Sequence, residues 1–376
     1  MTALTGAEVS GYDVDVLVIG GGQAGLAAGY HLQRAGFVPG SGYVVLDANL
    51  SPGGSWQHMW ESLHLFSPAG YSSLPGWLMP PSEGEDFPPA AHVVDYLSRY
   101  EQRYGLPVHH GIRADAVRRA DDDPTGRLFV ETTVGTWSAQ AVVSATGTWG
   151  RPFIPRYPGM DTFTGRQLHS ADYSLPEPFA GQRVVVVGGG NTGAQLLAEL
   201  SLVADTTWVT LRPPRFLPDD VDGRVLFDVA TARRKALDSG QRDTGGVTSL
   251  GDVVMVPPVH RARDRGVLVA EAMFDRLTPT GVAWADGTER PVDVVLWCTG
   301  FRPDLGHLSP LGLRRQDGHP VTVGTRAADE PRLHLLGYGD WTGPASATLI
   351  GVGRTARDAT RQVAQLLGKE PASPVR

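Results

Sequence analysis

Asp13-Val-Asp-Val-Leu-Val-Ile19 runs directly into Gly20-Gly21-Gly22-Gln23-Ala24-Gly25, and then through Leu26, Ala27, Tyr30, His31, Leu32 and Ala35 to Gly36. The Val- and Ile-rich opening reads as a short buried strand. The apolar residues after the glycines recur at helical spacing and stop at a glycine, as a helix does. Strand, GxGxxG turn and helix together form the context in which this glycine pattern binds a dinucleotide. Gly20 makes the tight turn, Gly22 lets a pyrophosphate approach the backbone, and Gly25 lets the helix pack close to the strand. The helix start offers free amide donors and a partial positive charge to that anion. A second apolar run, Tyr43-Val-Val-Leu46, ends in Asp47, about 20 residues past the last glycine, where an acid takes ribose hydroxyls. A glycine-rich turn without a ligand is the competing reading. The strand, helix and acid all argue against it.

The pattern recurs. Gln182-Arg-Val-Val-Val-Val187 leads into Gly188-Gly189-Gly190-Asn191-Thr192-Gly193, and Ala194 to Leu200 continues as a helix. The following run, Thr206 to Leu211, is succeeded by Arg212 instead of an acid. A guanidinium there can pair bidentately with a 2′-phosphate, with Arg215 able to assist, so NADP(H) is favoured over NAD(H). An ordinary surface arginine is the alternative. Asp47 suits the unphosphorylated ribose of FAD, so the two sensing residues assign FAD to the first site and NADP(H) to the second. The two runs stand too far apart for one mononucleotide pair. The expected fold is α/β with two Rossmann-like dinucleotide-binding domains, the NADP domain inserted into the FAD domain. Residues 1–155 and 290–376 would form the FAD domain and 156–289 the NADP domain.

Composition narrows the class. The chain has 376 residues, 41% hydrophobic and 19% charged, enough to build two cores. The formal charge of −7, with no large basic cluster, gives no nucleic-acid footprint. The single cysteine, Cys298, leaves no disulfide, CxxC pair or cysteine zinc site. Met1 to Gly11 lacks a signal-peptide pattern, and the glycine-broken stretch Val14 to Ala28 is too short to span a bilayer. These features lead us to expect a cytoplasmic protein with no membrane partner; a homo-oligomer is left open. HExxH, DxD and GxSxG patterns do not occur, so metal and serine catalysis have no support. His109-His110 reads as loop polarity, since adjacent rings do not easily share one metal.

Between the two fingerprints stands Phe163-Thr-Gly165-Arg-Gln-Leu-His169-Ser-Ala-Asp-Tyr173. It resembles the FxGxxxHxxx(aromatic) signature of the flavin-containing monooxygenases and their N-hydroxylating and Baeyer–Villiger relatives. Pro52-Gly53-Gly54-Ser55-Trp56 resembles that family's GG(T/S)W turn beside the flavin. Ser144-Ala-Thr146-Gly147 and Trp297-Cys-Thr299-Gly300-Phe301 resemble its two linkers, and the order of motifs matches from about residue 13 to residue 360. The stretch from Leu63 to Pro75 is similar to that of bacterial single-chain members of the ArsO type, named for arsenical-resistance operons; the plant YUCCA-type enzymes share the layout.

The resemblance implies an NADPH- and O2-dependent enzyme in which one oxygen passes from a peroxyflavin to a small soft nucleophile: sulfur, nitrogen or trivalent arsenic. It carries Gly54 and Trp56 to the flavin. It carries Asp340 to the flavin's ribityl chain and Leu349, with the backbone of Ala347 and Thr348, to its ring. The helix N-terminus there would stabilise reduced flavin. His169 is expected to tether the interdomain linker rather than act as a base. Trp56, Ser67 and Asn191 are candidates for the flavin and substrate pocket, and no nucleophilic side chain is required. One departure stands out: where many family members carry an Asn after the GG(T)W turn, this chain offers Ser67. Pocket walls are expected from Trp56 to Ser73 and from Arg215 to Gly251. The rival readings are an NADPH-dependent flavin reductase, oxidase or electron-carrier reductase without a CxxC pair, and a non-catalytic flavin sensor. The signature argues against the first. The second fingerprint argues against the sensor, which needs no hydride donor.

Overall fold

The computed structural model describes residues 12–120, 126–240 and 251–369. The readings made for residues 1–11 and for 241–250 therefore lie outside the described residues. In chain order the strands and helices are β1 (Tyr12–Ile19), α1 (Gln23–Arg34), β2 (Tyr43–Asp47), α2 (Ala90–Tyr104), β3 (Val108–His110), β4 (Ala114–Arg119), β5 (Leu128–Thr132) and β6 (Gly135–Ser144). There follow β7 (Arg166–His169), β8 (Arg183–Val187), α3 (Asn191–Leu200), β9 (Asp205–Thr210), α4 (Gly223–Asp238), α5 (Pro257–Asp264) and β10 (Ala270–Ala272). The chain ends with β11 (Arg276–Thr278), β12 (Gly281–Ala283), β13 (Glu289–Pro291), β14 (Val294–Trp297), β15 (Arg315–Gln316), β16 (His319–Pro320), β17 (Thr322–Val323), β18 (Arg326–Ala327), β19 (Leu333–Leu335) and α6 (Leu349–Leu366).

The larger sheet runs β17-β18-β19-β6-β1-β2-β3, and its central strands are parallel. In β1, Val16, Leu17 and Val18 are fully buried, as a parallel strand covered on both faces requires. Helices α1, α2 and α6 cover one face. Leu26, Leu32, Leu97, Val352 and Val363 meet there, each contributing roughly 1.5–3 kcal/mol of burial. The antiparallel strands β4 and β5 extend from β6 and cover the other face together with Leu305, Leu308 and Leu311. Strands β4, β5 and β6 form an antiparallel meander, while β3 joins the parallel edge beside β2.

The smaller sheet is parallel throughout, in the order β10-β9-β8-β14-β7. This corrects the expected boundary at residue 290. Val294 to Trp297 pairs with β7 and β8 of the smaller sheet, so the chain returns to the larger body only after Trp297. An all-apolar strand carries no mark of which sheet will bury it. The two crossings lie side by side: Phe153 N donates to Gly300 O (3.0 Å), Arg302 N to Arg151 O (2.8 Å) and Asp304 N to Gly147 O (2.9 Å).

Candidate active site

In an open parallel sheet, ligands bind beyond the carboxyl ends of the strands where strand order reverses. Both sheets build such a point in the same way. In the larger, β1 lies between β2 and β6. Gly20 N donates to Leu46 O at the end of β2, and Ala145 N, just past β6, donates to Ile19 O, both at 2.7 Å. In the smaller, β8 lies between β9 and β14. Gly188 N donates to Val209 O (3.0 Å) and Cys298 N to Val187 O (2.8 Å). Gly20 and Gly188 have φ of 109° and 132°, a region costly for any residue with a Cβ. A Cβ on either would also strike a backbone carbonyl, that of Ala145 or of Cys298. Gly25 and Gly193 are closed off by the carbonyls of Gly20 and Gly188, so the helices approach as the pattern requires.

A cavity of about 850 Å³ opens at the end of β1. It lies within the roughly 300–1,000 Å³ range of small-molecule and cofactor sites. Gly20, Gly22, Asp47, Gly54 and Trp56 line it, together with Ala145 to Gly150 and Tyr338. Two observations test its fit to a dinucleotide. Asp47 is buried, Asn49 occupies its Oδ1, and its Oδ2 is enclosed without a hydrogen bond. Burial pushes its carboxyl above the usual range, while Asn49 and His110 pull it back. A Cβ on Gly22 would meet only Gly54 Cα, at 3.7 Å, whereas one on Gly54 would sit 2.6 Å from Gly22 Cα. The Gly53-Gly54 turn therefore rests against the first fingerprint and leaves open space above Gly22. A buried acid at the wall of an open glycine cradle fits a nucleoside diphosphate.

Beside this cavity lies a smaller one of about 410 Å³. The two share Gln23, Trp56 and Ala347. Trp56 Nε1 donates to Gln23 Oε1 (2.9 Å), and Gln23 Nε2 donates to Ala347 O (2.6 Å). The smaller cavity is walled by Leu65, Phe66, Ser67 and Tyr71 from one loop and by Leu226, Phe227 and Arg233 from α4. Both regions are those expected from sequence. Ser67 Oγ is shared with Ser72 Oγ at 2.9 Å. Asp340 and Leu349 lie on this smaller cavity and are not among the residues lining the larger one. Asp340 Oδ2 accepts from Arg233 Nη1 at 2.9 Å. The N-terminus of α6, capped by Thr348 Oγ1 accepting from Gly351 N, opens there too.

Around the second fingerprint, Gly190 is exposed and has open space where a Cβ would stand. Thr192 follows in the first turn of α3. Asn191 lines neither cavity, because its Oδ1 accepts from Val254 N at 2.7 Å and ties α3 to the following segment. Arg212 lies exposed two residues past β9. Arg215 is committed to Asp252 through two short contacts, Nη2–Oδ1 at 2.9 Å and Nε–Oδ2 at 3.0 Å. His169 ends β7. Its Nδ1 accepts from Ala171 N (3.0 Å), so the proton sits on Nε2, which donates to Gly300 O at 2.9 Å. Burial lowers its pKa and favours this neutral ring. Gly300 O thereby takes bonds from both the signature and the first crossing. Gly165 lets β7 close on β14, since a Cβ there would meet Asp293 O at 2.5 Å.

Three features escaped the sequence reading. Ser144, Thr146, His307 and Tyr338 form a buried hydroxyl network under the larger cavity: Tyr338 OH is 2.7 Å from Ser144 Oγ and from Thr146 Oγ1, and His307 Nε2 is 3.0 Å from Ser144 Oγ. Burial lowers His307 to about 4. Arg233 of α4 is the second. The third is His110, a half-buried ring set between Asp47 and Glu101 where loop polarity was expected; the signal that could have found it is the register of β3 beside β2.

The family model for pyridine nucleotide-disulphide oxidoreductases matches residues 17–254. A flavin-containing monooxygenase from Stenotrophomonas maltophilia is 54% identical, with a TM-score of 0.84 over 95% of this chain and 99% of that one. The chain is a flavin-containing monooxygenase. An oxidoreductase of Geobacillus kaustophilus named CzcO-like is 27% identical over 91% of this chain and 96% of its own length. An indole-3-pyruvate monooxygenase of Oryza sativa subsp. japonica is 27% identical over 77% of each chain. This monooxygenase has a single cysteine, Cys298, partly buried and with its thiol pushed up in pKa by burial. The monooxygenase is an oxidoreductase whose cofactors are FAD and NADPH. Among its described residues no helix is long and apolar enough to cross a membrane.

Proposed function

We propose that the monooxygenase inserts one oxygen atom of O2 into a small, neutral, largely apolar compound at a sulfur or nitrogen centre. FAD would lie with its pyrophosphate on Gly20 to Gly22 and the N-terminus of α1 and its adenosine ribose on Asp47 in the larger cavity, its ribityl chain and ring reaching Asp340 and Leu349 past the wall the two cavities share. NADPH would lie on Gly188 to Gly193 with its 2′-phosphate on Arg212. Bound FAD supplies the redox chemistry, accepting a hydride from NADPH and activating dioxygen. The balance is substrate, O2, NADPH and a proton in; oxygenated substrate, water and NADP⁺ out. Carrying this reading is one observation: the apolar 410 Å³ cavity adjoins the larger one across Gln23, Trp56 and Ala347.

The chain's own residues bind, orient and exclude water. Phe66, Tyr71, Leu226 and Phe227 give the smaller cavity apolar walls, which keep water from the reacting centre. Its charged side chains, Arg233 and Asp340, neutralise each other, so a neutral substrate is favoured. Cys298 does not line it. That apolar, thiol-free wall supports an organic sulfur or nitrogen compound over an inorganic trivalent arsenical. The test uses purified holoenzyme with ¹⁸O2 and a panel of thioethers, tertiary amines, ketones and trivalent arsenicals, following NADPH loss, hydrogen peroxide and labelled product. Labelled sulfoxide or N-oxide with little peroxide supports the reading. Stoichiometric peroxide with every compound would instead mark an NADPH oxidase.

A further inference from the structure

His110 stands at the end of β3, in register with Asp47 of β2. Glu101 reaches it from α2. Both ring nitrogens face carboxylates: Nδ1 is 3.5 Å from Asp47 Oδ2, and Nε2 is 3.2 and 3.3 Å from the two oxygens of Glu101. Asp47 is buried at 6% side-chain exposure, and His110 and Glu101 are half-buried at 17% and 15%. They do not converge on a point, because the ring lies between the acids; no group able to hold a metal occurs among the described residues.

Burial of two carboxylates in one place is costly unless each is paired. It pushes both Asp47 and Glu101 up, and His110 is among the groups that pull each back. Asp47 Oδ1 is held by Asn49, whose N and Nδ2 lie 3.3 and 3.2 Å away. Oδ2 has no hydrogen bond and packs against Gly21, where a Cβ would come within 2.8 Å. An acceptor for ribose hydroxyls must be ionised and fixed in rotation. A ring with one proton satisfies one acid and turns a lone pair to the other; a ring with two protons serves both.

We propose that His110, itself held by Glu101, is the positioning residue for the adenosine-ribose grip, keeping the Asp47 carboxyl oriented toward FAD. This rests on the reading that Asp47 binds the FAD ribose. Glu101 sits on α2, whose Tyr96 and Tyr100 donate to Trp77 O and Pro75 O at 2.6 Å each. The helix that supports the grip is therefore itself fixed.

The test is the rate at which the yellow holoenzyme releases FAD on dilution, read as recovered flavin fluorescence. We compare wild type, His110→Leu, His110→Gln, Asp47→Asn and the doubles His110→Leu/Asp47→Asn and His110→Gln/Asp47→Asn. His110→Leu should release FAD about tenfold faster, by loss of the polar ring that faces Asp47 Oδ2. His110→Gln, which keeps one donor, should fall between it and wild type. In the Asp47→Asn background neither change at 110 should add more than about twofold, because the partner is gone. Wild-type release from His110→Leu, or an equal acceleration in both backgrounds, overturns the proposal. If Asp47→Asn alone releases FAD at the wild-type rate, the ribose assignment itself fails, an outcome separate from the loss of coupling. Should His110→Leu not fold, the Gln pair of variants gives the same comparison.

Discussion

Arg212→Ala probes the second nucleotide site most directly. The side chain is exposed beyond β9 and makes no hydrogen bond or ion pair among the described residues, so its guanidinium is free to take a phosphate. A hydrogen bond to a charged group contributes about 1.5–3 kcal/mol, and exposure holds an ion pair toward the lower end. A bidentate contact at this open position should then supply roughly 1.5–3 kcal/mol, or about 10- to 150-fold in NADPH affinity. NADH lacks the 2′-phosphate, so its affinity should move by less than about twofold. Arg215 makes the comparison sharper. Its guanidinium neutralises Asp252, whose carboxylate also feels Arg212. Arg215→Ala would release that carboxylate to compete for Arg212, weakening NADPH by a smaller factor, about three- to tenfold. The assay is KM and Kd for NADPH and NADH on the holoenzyme at two salt concentrations. Equal weakening of both nucleotides in Arg212→Ala, or no change in either, would refute the 2′-phosphate assignment. A selective loss that shrinks as salt rises is the expected result.

Gly22→Val should leave a folded protein that no longer retains FAD: a Cβ there makes only an ordinary contact with Gly54 Cα, at 3.7 Å, but stands where the pyrophosphate must approach; a yellow, fully loaded variant with normal circular dichroism would contradict it. Three buried histidines, His31, His307 and His334, are each lowered from 6.5 to about 4 by burial. Their stabilisation is whole above pH 6.5 and is lost as pH falls toward 4, at up to about 1.4 kcal/mol per pH unit for each, since only the unfolded chain takes up the protons. The unfolding free energy from urea melts should be lower at pH 5 than at pH 7 by several kcal/mol, about 1–2 kcal/mol for each histidine; a flat profile would count against neutral buried rings. Arg233→Ala leaves Asp340 unpaired at the smaller cavity, so NADPH oxidation should persist while the share ending as hydrogen peroxide rises several-fold, by loss of substrate positioning; unchanged coupling would remove Arg233 from that wall.

The parts of the fold that could be read from sequence are those whose physics is local. Gly20 to Gly25 and Gly188 to Gly193 each declare a strand, a turn and a helix within about 20 residues. Asp47 and Arg212 follow at the next strand ends, where the sheet brings them beside the turns. The smaller cavity takes its walls from two stretches singled out in the sequence, Trp56 to Ser73 and the segment after Arg215 that folds as α4, although nothing in either said that Arg233 would meet Asp340. What remained hidden depends on long-range pairing. Val294 to Trp297 is a uniformly apolar strand, and no period in it distinguishes the two sheets. His110 looked like loop polarity because the acids that enclose it come from different elements. The hydroxyl network of Ser144, Thr146, His307 and Tyr338 joins segments more than 160 residues apart. Asn191 sits in the fingerprint, yet its amide serves the neighbouring backbone. Only the folded chain shows that Val254 N needs an acceptor there.

Gln23 occupies a position that the glycine pattern leaves free, and its side chain uses that freedom to build the wall between the cavities. Its Oε1 accepts from Trp56 Nε1 while its Nε2 donates to Ala347 O, so one amide joins the GG(S)W turn to the start of α6. A carboxylate has the same shape and no donor. Gln23→Glu should therefore keep the Trp56 bond and set an oxygen against the Ala347 carbonyl, costing about 1–3 kcal/mol locally. The wall loosens on the α6 side only. The backbone amides of the fingerprint stay in place, so FAD retention should hold within about twofold. The barrier between the reacting centre and water should weaken, and more NADPH should be spent on hydrogen peroxide for each substrate oxygenated. Measured together, flavin release and the peroxide-to-product ratio separate the two roles. Peroxide rising with FAD retained assigns Gln23 to the wall. FAD lost in parallel would mean that the amide serves the dinucleotide instead, and an unchanged ratio would remove the partition from the argument.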